Sequence, residues 1–333
     1  MIASPLIIAE AGVNHNGDMA RAFALIDAAA VAGADVVKFQ AFRADGLVTQ
    51  DAGTAAYQAS NTGQDNQSAL LRALELSKDD FAKLAEHCTE SGIEFLCTPF
   101  DVAMTADLVA MGMKRIKIAS GELTNSPALR HFAELGLPIL LSTGMATLAE
   151  VGQALDDLQA AAGNIICLHC TSLYPAPMAT LNLQAMASME AAFGIPVGYS
   201  DHSLGDHAAV AAVALGACVI EKHFTLDRSL PGPDHRASLE PDELKTMVRR
   251  LRDIAVAMGD GVKAPAEGER DTAALVRRSW HTCHPLVRDH IVTTADVILK
   301  RPADGLAPVR SPVGRRLTRA LAADQPVCDS DFE

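Results

Sequence analysis

The sequence has no stripe of clustered basic residues. Its 28 Lys and Arg are outnumbered by 41 Asp and Glu, for a net charge of −13 over 333 residues. That balance repels a phosphate polyanion, so nucleic acid is not an expected partner. The densest basic run, Arg249-Arg250-Leu251-Arg252, reads as one exposed helix face. Long apolar runs are missing too. The longest, 208–220, is about 13 residues against the ~20 a bilayer crossing needs, so no membrane partner is expected. Met1-Ile2-Ala3-Ser4-Pro5 lacks the basic start of a signal peptide, and Glu10 interrupts the apolar run behind it. Seven cysteines form an odd, dispersed set with no framework spacing, which points to a reducing cytoplasm. Cys167-Leu168-His169-Cys170 has CxxC spacing, but residues three apart on a strand face opposite ways, so the pair reads as core thiols. No G-x-G-x-x-G follows a strand and there is no P-loop, which disfavours a doubly wound nucleotide fold. The absence of a G-x-S-x-G elbow dismisses a serine hydrolase.

What is present is a repeating unit. Apolar residues make up 49% of the chain and charged ones 21%, enough for a substantial core. Short runs rich in Ile, Val and Leu occur at 6–10, 35–40, 93–98, 115–120, 138–143, 165–171, 195–200 and 218–223, as expected of strands covered on both faces. Helical patterns lie between them, at 19–32, 78–91, 148–162 and 206–215, and several end in Gly just before the next strand. Eight such units predict an α/β fold, a (β/α)8 TIM barrel, over 1–260. A polar stretch at 41–77 reads as an active-site loop that orders on binding. After the helical pattern 241–258 comes a linker, 261–277, and then a small β-prone segment, 278–333, with strands expected at 279–284 and 290–293. A piece of that size sits near the lower limit for independent folding and is expected to lean on a partner surface.

The strand ends carry the chemistry. In a barrel they converge at the C-terminal face, and here they bring Glu10, Lys38, Gln40, Thr98, Lys117, Ser120, Glu122, Ser142, Thr171, Ser172, Tyr174, Ser200, His202, Glu221 and His223. Lys38 and Lys117, with Thr98, Ser120 and Ser142 and the Ser-Gly and Thr-Gly turns, make a wall suited to phosphate and carboxylate. His202 and His223 offer two imidazoles to a divalent ion, leaving other positions for water and substrate. Taken alone, two histidines at a barrel mouth are as often simple hydrogen-bonding groups. Glu10 is placed to act as a general base.

Ten motifs in order then resemble one family across essentially the whole chain: Ile8-Ala9-Glu10-Ala11-Gly12-Val13-Asn14-His15-Asn16-Gly17, Val37-Lys38-Phe39-Gln40, Thr98-Pro99-Phe100, Lys117-Ile118-Ala119-Ser120-Gly121-Glu122, Leu141-Ser142-Thr143-Gly144-Met145, His169-Cys170-Thr171, Tyr174-Pro175, Ser200-Asp201-His202, Glu221-Lys222-His223-Phe224-Thr225 and Pro231-Gly232-Pro233-Asp234. They look like the bacterial sialic acid synthase family, and 278–333 is similar to that family's antifreeze-like (SAF) domain. The resemblance implies condensation of phosphoenolpyruvate with N-acetylmannosamine to give N-acetylneuraminate and phosphate. The alternative acceptor is a 2,4-diacetamido-trideoxy hexose, as in the legionaminic or, less closely, the pseudaminic acid synthases. It implies that Lys38, Thr98, Lys117, Ser120, Ser142, Ser172, Tyr174 and Ser200 hold phosphoenolpyruvate or lie beside it. By the same resemblance Gln40, Glu122 and Asp234 hold the sugar, His202 and His223 hold Mn2+ (or Mg2+ or Co2+), and Glu10 handles the proton. Arg301, in Lys300-Arg301-Pro302, matches an arginine that reaches a partner's barrel, which implies a domain-swapped homodimer. Ser172 stands where some members have asparagine, and Ala303 where glycine is commoner.

Two other classes of function compete. A Schiff-base aldolase on Lys38 or Lys117 needs a desolvated, unpaired lysine. A non-catalytic sugar- or ice-binding protein is suggested only by the C-terminal segment and does not need so complete a polar mouth.

Overall fold

A computed structural model describes residues 4–333; the first three, part of the stretch read as lacking a signal-peptide pattern, lie outside the described residues. The chain divides into two compact units, Met1–Asp260 and Gly261–Glu333.

The first unit is the (β/α)8 TIM barrel. Its parallel strands are β1 (Leu6–Gly12), β2 (Val36–Ala41), β3 (Glu94–Pro99), β4 (Ile116–Ile118), β5 (Ile139–Ser142), β6 (Ile165–Cys170), β7 (Val197–Asp201) and β8 (Val219–His223). The sheet runs β3-β2-β1-β8-β7-β6-β5-β4, with β3 and β4 side by side where the barrel closes. Each strand falls on a run expected from sequence. The reason is burial on both faces: β5, β7 and β8 are buried at every position, so apolar runs rather than alternation mark them.

Two arginine forks brace the barrel's N-terminal end. Arg115 donates from Nε and Nη2 to Glu94 Oε1 and Oε2 at 2.6 and 2.9 Å, joining β4 to β3 at the seam. Arg252 donates to both oxygens of Asp35 at 2.6 and 2.7 Å, and Asp35 Oδ2 accepts the Ile7 amide at 2.7 Å. Arg250 bonds to Asp206; Arg249 and Arg250 are exposed, as the reading of residues 249–252 as one exposed helix face expects, whereas Arg252 is half-buried and Leu251 buried. The run ties the last helix, Pro241–Ala257, to its neighbours.

Local signals place the helices. Asp18 caps Met19–Ala32 by accepting the Ala20 amide at 2.9 Å, and Gly33 ends it at φ 82°, a left-handed turn that Gly adopts without strain. Ser77 with Asp80, and Thr147 with Glu150, form reciprocal caps on Lys78–Glu90 and Leu148–Asp157.

The stretch 41–77 departs from expectation. It folds as three short helices, Ala44–Leu47, Ala56–Thr62 and Gln67–Leu74, over a small apolar cluster of Val13, Phe42, Leu70 and Leu74. The spacing of that cluster is hidden in the sequence by the polar residues between, and Ala55, Tyr57, Gln58 and Gln67 of the stretch line the cavity at the strand ends.

In the second unit β9 (Ser279–Thr282) pairs antiparallel with β10 (Val297–Lys300) over a core that includes Leu286, Val292, Leu317, Leu321 and Val327. Residues 290–293 make only an isolated bridge, Ile291 to Arg316, so the second strand lies later than expected. A helix, Glu267–Val276, occupies most of the segment read as a linker.

Candidate active site

The strand ends of the barrel surround a cavity of about 420 Å³. Glu10, Lys38, Gln40, Thr98, Lys117, Ser120, Ser142, Ser172, Tyr174, Ser200, His202 and His223 all line it. Asp234 lines an adjoining chamber that shares Gln40, Tyr174 and His223. Glu122 is not among the lining residues; it is half-buried and accepts a hydrogen bond from Asn125 Nδ2 at 2.7 Å. Arg301 belongs to the second unit, where it is exposed.

Strand register creates the central charge cluster. Glu10 stands beside Lys38 on β2 and beside His223 on β8, because β1 pairs with both strands at that level. A bulge follows between Glu10 and Gly12. Gly12 sits at φ 54°, and a Cβ there would lie 3.3 Å from both Glu10 Oε1 and Gln40 Nε2. Lys38 Nζ lies 2.8 Å from Glu10 Oε2, donates to Thr98 Oγ1 at 2.8 Å and lies 3.6 Å from Glu221 Oε2. Lys117 Nζ lies 3.4 Å from Glu221 Oε1, which also accepts from Ser200 Oγ at 2.9 Å. Two ammonium groups therefore share one carboxylate, and the sequence reading gave Glu221 no role. Its one clue is position: it stands two residues before His223 on the same strand, hence on the same inward face.

Burial and charge drive the two acids apart. Desolvation raises Glu10 to about 7, opposed by Lys38 and reinforced by the charge of Glu221. Burial pushes Glu221 up as well, but Lys117 and Lys38 outweigh it and hold the group at about 2. Such a split suits Glu10 to exchanging a proton and Glu221 to holding fixed charge. Burial lowers Lys117 despite Glu221, whereas in Lys38 the pull of Glu10 and Glu221 overcomes burial and raises it.

Beside this cluster, at the ends of β7 and β8, stand the histidines, ring centroids 5.4 Å apart. His202 Nδ1 lies 2.8 Å from the Thr171 carbonyl, which can only accept, so Nδ1 carries a proton; burial lowers the imidazole's pKa, but Cys170 and the Thr171 carbonyl outweigh it and raise it. Nε2 lies 3.1 Å from the Tyr174 hydroxyl. His223 Nδ1 is buried with no hydrogen-bond partner, 3.8 Å from Asp234 Oδ2. Burial holds Asp234 up at about 6 and keeps His223 well below the usual range, so the imidazole is neutral, as a metal ligand must be. Among the described residues no cluster of three or more His, Cys, Asp or Glu is arranged to hold a metal. The residues that could offer nitrogen donors to a divalent ion here are His202 and His223, the former with Nδ1 oriented by the Thr171 carbonyl.

Strands β7 and β8 are locked behind those histidines by a fully buried pair, Lys222 Nζ to Asp201 Oδ2 at 2.8 Å, and Lys222 also donates to the Ser203 carbonyl at 2.5 Å. Asn16 and Asn61 donate to the Pro231 and Pro233 carbonyls at 2.6 and 2.8 Å and hold the loop that ends in Asp234. At Gly144 a Cβ would fall 2.2 Å from Ser172 Oγ and 2.8 Å from Ser120 Oγ, while its amide donates to Ser120 Oγ at 2.9 Å. Only glycine lets that backbone N–H approach. Cys167 is core, as expected, but Cys170 lines the cavity, with Sγ 3.6 Å from His202 Nδ1. All seven cysteines are free, and no helix of the described residues is long and apolar enough to cross a membrane.

The chain is similar in sequence and fold to known proteins. The chain is 47% identical over 325 residues to the N,N'-diacetyllegionaminic acid synthase of Legionella pneumophila, covering 95% of this chain and 91% of that one. It is 47% identical over 309 residues to the N,N'-diacetyllegionaminic acid synthase of Campylobacter jejuni, with 92% of each covered. A crystal structure of the N-acetylneuraminic acid synthetase of Leptospira borgpetersenii superposes with a TM-score of 0.73 at 36% identity, covering 81% of this chain and 90% of that one. Residues 25–263 match the model of the NeuB family, and the chain belongs to that family.

Proposed function

We propose that this chain condenses phosphoenolpyruvate with the open-chain aldehyde of a 2,4-diacetamido-trideoxy hexose, giving a legionaminic-type nonulosonate and phosphate. The observation that carries the reading is the buried Lys38–Glu221–Lys117 cluster lining one cavity with two histidines, on a chain 47% identical to two diacetyllegionaminate synthases. That kinship moves the preferred acceptor away from N-acetylmannosamine, the first expectation from sequence, to the alternative.

In this reading Lys38 and Lys117 bind the phosphate and carboxylate of phosphoenolpyruvate, with Thr98, Ser120, Ser142, Ser172 and Ser200 as hydroxyl partners. Ser142 Oγ is buried without a protein partner, as such a role requires. His202 and His223 hold the divalent ion, Mn2+ by family resemblance, which when bound polarises the sugar aldehyde. The phosphoenolpyruvate methylene carbon forms the new C–C bond to that aldehyde carbon as the aldehyde π bond opens, and the aldehyde oxygen takes up a proton to become a hydroxyl, leaving positive charge at C2. Water adds there and Glu10 takes its proton. The bond from C2 to the phosphate oxygen then breaks, releasing phosphate, and the C2 hydroxyl proton leaves as the ketone forms. Tyr174, Gln40 and Asp234 orient the sugar. Confinement of two reactants supplies up to about 7–11 kcal/mol of the barrier. Arg301 reaches the mouth of a second copy in a domain-swapped dimer, through a C-terminal unit of the antifreeze-like type. Neither lysine is unpaired, so no observation favours Schiff-base chemistry.

The test is phosphate release from phosphoenolpyruvate and Mn2+ with each sugar offered separately. Faster turnover of N-acetylmannosamine removes the proposed acceptor. Arg301→Ala is expected to raise the sugar KM without lowering barrel stability, and unchanged kinetics removes the swapped arginine.

A further inference from the structure

Behind the two histidines lies a buried ionic group that the condensation does not use. Glu221 and His223 line the cavity, so Lys222 between them points to the other side of the sheet. Lys222, Asp201 and Ser203 are all fully buried there. Asp201 and Lys222 are cross-strand partners on the last rung of the β7–β8 ladder. Beyond that rung the two strands stay tied through side chains. Lys222 Nζ donates to Asp201 Oδ2 at 2.8 Å and to the Ser203 carbonyl. Asp201 Oδ1 in turn accepts the amide and the hydroxyl of Ser203, at 2.9 and 2.7 Å, and the Tyr199 hydroxyl at 3.3 Å. His202 is therefore held through the residue on each side of it. The group that grips both of those residues belongs to the immediate neighbour of His223.

We infer that Lys222 is a positioning residue for the divalent-ion site: by gripping Asp201 and Ser203 it fixes the His202 imidazole relative to that of His223. The inference rests on the reading of those two histidines as the ion's ligands. Packing alone does not call for an ion pair in this place. Desolvating two charges is costly, and apolar residues of the same volume commonly pack as well or better. What the ammonium adds is a set of directed donors on one atom. Two of them reach the two flanks of a single ligand. A site built on two imidazoles depends on both lone pairs converging on one point, so a small rotation of the 201–203 turn costs affinity directly.

The test reads the Kd of Mn2+ by titration calorimetry on the full chain, without either substrate. Lys222→Met keeps the side chain's length and removes the ammonium, while Asp201 keeps its bonds from Tyr199 and Ser203. It is expected to weaken Mn2+ about 10–100-fold, the range typical of losing an outer-shell partner. Lys222→Gln still offers N–H donors to the same oxygens. It is expected to recover part of that loss, and it carries the test if the Met variant does not fold. Arg252→Ala breaks the fork to Asp35 at the far end of the barrel and lowers stability without touching either histidine. It is expected to bind Mn2+ as the wild type does. An unchanged Kd in Lys222→Met, or in Lys222→Gln where the Met variant does not fold, overturns the positioning role. Equal weakening in Arg252→Ala overturns it too, because the effect is then a general loss of stability. A wild type that does not bind Mn2+, or binds it unchanged after His202→Ala, overturns the ligand assignment and the inference with it.

Discussion

Glu10 Oε2 lies 2.8 Å from Lys38 Nζ, yet the carboxyl is held at about 7 because burial outweighs that single cation. A base with such a value is half-protonated at neutral pH, near the optimum for exchanging a proton with water. The sign follows directly. A raised carboxyl pKa moves the loss of the basic form upward from 4.5 to about 7. The kcat/KM for phosphoenolpyruvate should therefore fall as pH drops through about 7. Glu10→Gln should remove that limb and lower kcat by roughly 10²–10⁴. An unchanged acid limb in the variant moves the proton role elsewhere.

His223→Ala should weaken Mn2+ binding by more than the 10–100-fold typical of losing an outer-sphere partner. Titration calorimetry without either substrate reads this independently of turnover. An unaltered Kd sinks the metal assignment.

Glu221→Gln leaves Lys38 and Lys117 buried without the carboxylate they share, and removing one member of a buried ion network costs about 3–5 kcal/mol. Urea unfolding of the free protein should show that loss. Added phosphate, supplying negative charge to the same lysines, should narrow the gap between variant and wild type. A deficit indifferent to phosphate argues against an anion site there.

Arg115→Ala removes the two-pronged bond to Glu94 at the seam between β3 and β4 and should lower stability by about 2 kcal/mol, read from the urea midpoint. No change would mean that strand packing alone closes the seam.

The eight barrel strands were legible because doubly covered parallel strands must be apolar throughout, and the polar residues that stop each run mark the catalytic face. Period-two spacing likewise placed Lys38 with Gln40 and Glu221 with His223. Less visible was the folded roof over 41–77, whose few apolar anchors, Leu70 and Leu74 among them, are scattered through polar sequence. The exposed arginines of the 249–252 run were legible but their partners were not: charge patterning cannot show that Asp35 and Asp206 wait beside them.

By itself, then, the sequence determined the barrel, the face that carries chemistry and the residue types gathered there, since these follow from local periodicity and strand order. Tertiary structure alone decided which charges meet. Glu221 became the common partner of two lysines, Glu10 the acid pushed upward, and Tyr57 the stacking partner of Tyr174, because these depend on angstrom-scale distances between segments far apart in the chain. Coulomb energy and desolvation vary steeply over those distances.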